Sequence, residues 1–269
     1  NKRRKYITVR KMMDISVELS VFNNIKYYDE PHTYFIDGKE MTSATRLINK
    51  FKQAFDSEYW STKKAKEKGI TKEEILKEWK YKADYSCEKG NLLHAYAENY
   101  LNNKIFPYPK EKIIKILGNN DVEEDFEKVK KLFNKFYNES YGKLIPIKSE
   151  IIVGDEEIEV CGMVDQLFWN NKCEELQIWD WKTNKEIKRH NKWQQFKEPI
   201  SHLDVCEYNT YSLQLSLYRY LIEKNTHLEL GDSYIVWFNE KNENYEPIKC
   251  RDYREEIISL IETFTNKND

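Results

Sequence analysis

No run of about 18–20 apolar residues, the length a membrane-spanning helix needs, occurs in this sequence, so a membrane is not among the expected partners. No G-x4-G-K-[ST] loop is present, which leaves the chain without an ATP motor of its own. Cysteine is sparse and scattered: Cys87, Cys161, Cys173, Cys206 and Cys250 form no CxxC pair. That spacing argues against a structural zinc or disulfide framework and fits free thiols in a reducing, intracellular compartment. With only 8 Gly and 6 Pro in 269 residues, the chain holds no low-complexity linker. A surplus of one charge is also lacking. The formal net charge is -2, unlike a protein that coats nucleic acid through overall basicity. The basic opening Asn-Lys-Arg-Arg-Lys is followed by no apolar run, so no secretory signal is expected there. The chain does not begin with Met, which leaves an upstream targeting segment open.

What is present describes an ordered globular protein. Apolar residues make up 40%, aromatics 14% and charged residues 33%, and the length suits one large domain or two small ones. Residues 6–42 read as a β-rich opening, clearest at HTYFIDGKEMT, where Asp37-Gly38 between extended residues signals a two-residue hairpin. Ser43 or Thr45 caps a helix containing Leu47, Ile48 and Phe51. Helices follow from about Ser57 to Leu101, with Gly69 as a C-cap and Thr71 opening the next segment. Leu93, Ala97 and Leu101 form one stripe, and His94 and Glu98 a second beside it. After Pro107 and Pro109, Asp121–Tyr141 reads as an amphipathic helix burying Phe126, Val129, Phe133 and Phe136.

Beyond Gly142 the pattern turns to strands, with a turn expected at Gly154-Asp155, and then to an irregular segment, Asn184–Tyr208. A helix, a strand and a closing helix finish the chain. Three strands, helix, strand, helix, preceded by helices, indicate an α/β fold with a mixed β-sheet flanked by helices, carrying an N-terminal β-hairpin and helical lobe. The expected division is 1–89 for the hairpin and lobe, packed on a core at 90–269.

The stretch Val160–Thr183 organises the rest. It reads as two strands joined by an Asn-Asn-Lys turn, with Asp165 on the first and Asp180 and Lys182 on the second. Alternation puts Asp180 and Lys182 on the face of Leu176 and Ile178, with Gln177, Trp179 and Trp181 on the other. Two carboxylates and an amine at the ends of paired strands are electrostatically awkward. A hard divalent cation with oxygen ligands relieves that conflict, which suggests a metal-dependent phosphodiesterase site.

The order Gly90-x3-His94-x3-Glu98, Glu150 on a strand, Gly162-Met-Val-Asp165, Asp180-Trp-Lys182-Thr and Gln214-x3-Tyr218 on a helix resembles the RecB-type branch of the PD-(D/E)XK nuclease superfamily. Phage-type exonucleases and the mitochondrial genome maintenance exonuclease belong to that branch. The resemblance spans roughly residues 90–224 and implies a restriction-endonuclease-like fold and a Mg²⁺- or Mn²⁺-dependent deoxyribonuclease, an exonuclease on single-stranded or processed DNA ends. It implies that Asp165, Asp180, the Trp181 carbonyl and His94 bind the metal, and that Lys182 orients or deprotonates the attacking water and stabilises developing charge. Gln214 and Tyr218 would contact substrate phosphate or position Lys182. Glu98 and Glu150 would stand beside the site, Glu98 lining it or holding His94.

Each role has a plainer counterpart. Lys182 could simply pair with Asp180, and Gln214 and Tyr218 could be packing residues. In the Asn184–Tyr208 segment, Lys188, Arg189 and Trp193 are candidate substrate contacts through phosphate pairing and base stacking. The alternative turns Trp193 and Phe196 inward. Cys250 and Cys87 have no close cysteine partners, so the iron–sulfur cluster of the CRISPR adaptation nucleases is not expected. DNA is the expected partner, with room for a helicase or recombination partner. The competing readings are a catalytically inactive DNA-binding or scaffold module on the same fold, or a nuclease directed to internal sites or RNA.

Overall fold

Thr8 Oγ1 accepts a hydrogen bond from the Lys11 N–H and starts helix α1 (Val9–Leu19), which a short 3-10 turn (Ser20–Asn24) follows. The computed structural model describes residues 7–30 and 32–266, so the basic opening lies outside it. The helix corrects the β-rich reading of this stretch. Ile15 and Leu19 face the core while Val9, Met13 and Val17 are exposed, and apolar residues on two faces blur the helical period.

The hairpin behaves as its turn chemistry requires. Strands β1 (Lys26–Tyr28), β2 (Thr33–Ile36) and β3 (Lys39–Ser43) run antiparallel, and Asp37 and Gly38 at the β2–β3 turn both have positive φ, 48° and 86°. Ser43 Oγ then accepts from the Arg46 N–H at 3.1 Å and caps α2 (Ala44–Lys50). Helix α3 (Ser57–Lys68) ends on left-handed Gly69, and a Thr71–Glu74 capping box opens α4 (Lys72–Leu101), which runs unbroken across Lys89–Gly90. Helices α5 (Lys110–Leu117), unanticipated from sequence, and α6 (Val122–Ser140) follow; α6 buries Phe126, Val129, Phe133 and Phe136 as its pattern predicts.

The remaining elements are β4 (Leu144–Asp155), β5 (Val160–Asn170), β6 (Glu175–Lys182), α7 (Glu207–Asn225), β7 (Tyr234–Trp237), β8 (Glu246–Lys249) and α8 (Arg254–Thr265). The β4–β5 turn falls after Asp155, not at Gly154-Asp155, because Asp155 still pairs with Val160. The strands described form one mixed eight-stranded sheet in the order β1-β2-β3-β5-β6-β7-β8, with β4 paired to β5. This is the restriction-endonuclease-like architecture expected.

Alternation along β6 sorts two cores. Leu176 and Ile178 pack with Leu213, Leu217 and Leu221 of α7, while Trp179 and Trp181 pack with Leu93 and Ala97 of α4 and Phe133 and Phe136 of α6. No helix among the described residues is long and apolar enough to cross a membrane.

One feature of the sheet places the site. Strand β4 pairs along the whole of β5, so β3 and β6 must share β5's other edge. Strand β3 pairs with it at Val160 and Cys161, and β6 from Gln166 to Asn170. Residues 162–165 therefore lack a strand partner on that edge. The side chains of α4 and α7 meet the sheet at this gap.

Candidate active site

Asp165 sits at the edge of the gap. The Trp181 N–H, which a strand neighbour would otherwise satisfy, donates to Asp165 Oδ2 at 2.7 Å. The other carboxylate oxygen faces His94 Nδ1 at 3.4 Å, and His94 Nε2 lies 3.0 Å from the Trp181 carbonyl oxygen. Both ring nitrogens thus face acceptors, which only an imidazolium can satisfy with two donors. Burial works against that charge, but Asp165 and then Glu150 outweigh it and raise the His94 pKa to about 9.

Glu150 completes the group. One ligating atom from each of His94, Glu150 and Asp165 lies within 4.8 Å of the others, a span a single cation can bridge. The β4–β5 register sets Ser149 opposite Gln166 and Ile151 opposite Val164, which leaves Glu150 across from Asp165. Its φ is 47°, in the left-handed region that costs a non-glycine residue on the order of 1–3 kcal/mol. Burial and the neighbouring Asp165 push the Glu150 carboxyl up to about 8.

Asp180 and Lys182 stand next to this group, joined as a buried ion pair, Asp180 Oδ2 to Lys182 Nζ. Burial and the Asp165 charge raise Asp180 to about 6 against the pull of Lys182. Burial opposes the Lys182 charge, but Asp180 and Asp165 more than compensate and keep the ammonium protonated. With His94, Glu150 and Asp165 converging and Asp180 adjacent, the donor set of one imidazole and carboxylate oxygens fits a hard or borderline divalent cation.

Helix α7 supplies the opposite wall. Gln214 Nε2 donates to the Tyr218 hydroxyl at 2.7 Å, and Tyr218 is buried with its ring against Gly162. Tyr218 is thus placed under the site. Tyr211, one turn before Gln214, was not singled out in the sequence. Its ring lies under Lys182 Nζ at 4.6 Å, and its hydroxyl donates to Asn184 Oδ1 at 2.8 Å. The signal was available, since Tyr211, Gln214 and Tyr218 fall at i, i+3 and i+7.

Gly162 has a specific steric reason. A Cβ there would come 2.2 Å from Tyr218 Cε1. Gly162→Ala should cost about 1–3 kcal/mol and displace the Tyr218–Gln214 pair, since a buried ring cannot swing into solvent. A thermal melt checks this; an unchanged midpoint would show that the close packing is not required.

The structure separates the other candidates. His94, Asp165 and Glu150 come together; Asp180 is drawn to Lys182; and the Trp181 carbonyl is engaged by His94. Glu98 is half-buried on the His94 stripe, near enough to Glu150 to raise that group's pKa. In the segment after β6, Trp193 is 95% exposed, Phe196 is in the core, Lys188 is exposed beside Glu186, and Arg189 lies over the Tyr208 ring. Only half of the inward alternative for this segment is therefore realised.

The model of the PD-(D/E)XK nuclease superfamily matches residues 69–265, and the chain belongs to that superfamily. Among solved structures, a candidate exonuclease from Eubacterium rectale is similar at 14% identity and a TM-score of 0.40, over 66% of this chain and 65% of that one. The present chain thus spans just under two thirds of that neighbour's length. The protein SSO0001 is similar at 12% identity and a TM-score of 0.30, over 72% of this chain and 87% of that one. A search of curated proteins returns no match.

Proposed function

We propose that the protein is a divalent-metal-dependent DNA nuclease that hydrolyses phosphodiester bonds from strand ends. The observation that carries this reading is the convergence of His94, Glu150 and Asp165 beside the buried Asp180–Lys182 pair, at the gap in β5. A cation held by His94, Glu150 and Asp165, with Asp180 adjacent, would supply positive charge to polarise the scissile phosphate and to acidify a water.

The chain's own residues do the rest. Lys182 stays charged, which supports a role in orienting the water and stabilising the developing phosphorane charge in preference to taking the proton. The Tyr211 ring and Asp180 hold its ammonium from two sides. Trp193, Lys188 and Arg189 lie on the segment that follows the Asp180–Lys182 strand and offer stacking and phosphate contacts to an incoming strand. The preference for ends rests on the RecB-type order of the motifs.

Linear and closed circular DNA, single- and double-stranded, together with RNA, should be compared over a Mg²⁺ and Mn²⁺ series. Linear DNA should be degraded and closed circles spared. Degradation of circles would replace the exonuclease reading with an endonuclease. Lys182→Ala cutting labelled DNA at the wild-type rate would remove the assignment of the site.

A further inference from the structure

A cavity of about 340 Å³ opens beside the site, between the α4 segment ahead of His94 and the chain that leaves β6 and β7. Its lining includes Lys89, Lys185, Lys241, Thr183, Asn184 and Glu240. Three cations against one carboxylate make it locally positive in a protein of net charge -2. Lys89 and Glu240 form a buried ion pair at 2.6 Å, their side chains 7% and 12% exposed. That pair ties α4 to the loop after β7 and satisfies the one acid in the lining. Lys185 and Lys241 are exposed at the cavity, and no ion pair holds either among the described residues.

The cavity is built, not incidental. The Asn184 carbonyl oxygen accepts from the Trp237 indole N–H at 2.7 Å and from Asn239 Nδ2 at 2.8 Å. Its side chain accepts from the Tyr211 hydroxyl, and the Tyr211 ring carries Lys182. Asn184 therefore fixes the cavity wall and the catalytic lysine with one residue. Gly90 adds a second link: a Cβ there would touch Thr183 Oγ1 at 3.7 Å, so helix and wall are in close approach. Lys89 and His94 are five residues apart on α4, about 7.5 Å along the axis at 1.5 Å per residue. That is about two nucleotide steps at about 3.4 Å per base.

Building on the nuclease reading above, we infer that this cavity is a phosphate subsite, which holds a phosphate of the substrate strand about two nucleotides from the scissile bond through Lys185 and Lys241. The Lys89–Glu240 pair is its floor and gives it rigidity. A terminal phosphomonoester and an internal phosphodiester share the chemistry the subsite recognises.

The test is binding in EDTA, so that no turnover is needed. Fluorescent single-stranded oligonucleotides would be titrated with wild type, K185A/K241A and a control, K143A/K172A. The control removes the same charge from exposed positions at the far end of β6. Both doubles change exposed residues and leave the buried Lys89 pair intact, and a thermal melt confirms the fold. K185A/K241A should weaken binding about tenfold and lower the slope of log K against log salt by about 1.4, that is, about 0.7 for each lost phosphate contact. The control should bind as wild type does.

Equal losses in the two doubles, or no loss in K185A/K241A, would overturn the subsite. Oligonucleotides with a 5′-phosphate, a 3′-phosphate, neither, or a closed circle separate the sources. A wild-type-to-variant gap that widens with one terminal phosphate assigns the cavity to ends, and an equal gap in all four assigns it to internal phosphates. If wild type cuts DNA but K185A/K241A binds normally, the subsite alone fails. If binding depends on the two lysines but no substrate is cut, the nuclease reading alone fails.

Discussion

Asp165→Asn should lower DNA cleavage by at least about 10³-fold and abolish measurable Mn²⁺ binding, with the fold retained. The expectation rests on what Asp165 does with each oxygen. Oδ2 accepts the Trp181 N–H at 2.7 Å, and an asparagine oxygen can still accept that bond. The other position faces His94 Nδ1 at 3.4 Å and lies within the span shared with Glu150. An amide nitrogen there carries no charge and donates where a cation or an imidazolium needs an acceptor. The substitution therefore keeps the backbone contact that closes the gap in β5 and removes the charge at the centre of the site. Losing one preorganised electrostatic group typically costs about 10²–10³ in rate, and a lost cation costs more. Cleavage of labelled DNA and titration calorimetry with Mn²⁺ measure the two effects. Mn²⁺ binding equal to wild type would place the ligand set elsewhere.

In EDTA, the stability of the protein should fall as pH rises from 5 to 9, and divalent metal should reduce the fall. Three groups carry the sign. Glu150, Asp180 and His94 have folded-state pKa values raised to about 8, about 6 and about 9, from ordinary values of 4.5, 3.8 and 6.5. Each binds its proton more tightly folded than unfolded. The stability each contributes is complete below its ordinary pKa and is lost as pH climbs through the raised one. Asp165 is shifted the other way, held low chiefly by His94 against its own burial, so its contribution is already in place above about pH 5 and does not offset the loss. The slope is about 1.4 kcal/mol per pH unit for each proton that only the folded state retains. Urea unfolding midpoints at pH 5 to 9 read it directly, and Glu150→Gln should flatten the part between pH 5 and 8. A bound cation replaces those protons as the compensating charge, so metal affinity should rise with pH over the same range. A metal-free midpoint that stayed level or rose would contradict the arrangement.

The physics that made the hairpin legible is local. A two-residue period sorts β6 into a Leu176–Ile178–Asp180–Lys182 face and a Trp179–Trp181 face, and the two hydrophobic cores keep that division. Turn and cap chemistry made Asp37-Gly38, Ser43, Gly69 and Thr71 readable for the same reason, since each answers to neighbours a few residues away. Local pattern fell short where an element's burial depends on distant partners. Helix α1 shows apolar side chains on two faces, and only contact with the rest of the protein determines which is inside.

By itself, then, the sequence determined the chemistry on offer: the acid and lysine of β6, the acid of β5, the histidine stripe of α4 and the Gln214–Tyr218 pair. Tertiary structure decided which of these meet. The crowding of three partner strands on β5 opens the gap at residues 162–165, and a left-handed residue in β4 brings Glu150 to His94 and Asp165. The same long-range packing sets Tyr211 under Lys182 and closes Lys89 onto Glu240 across 151 residues of chain. A strand register and a buried ion pair between remote segments are properties of the assembled core. They arise from hydrophobic burial and charge compensation over distances that no local spacing encodes.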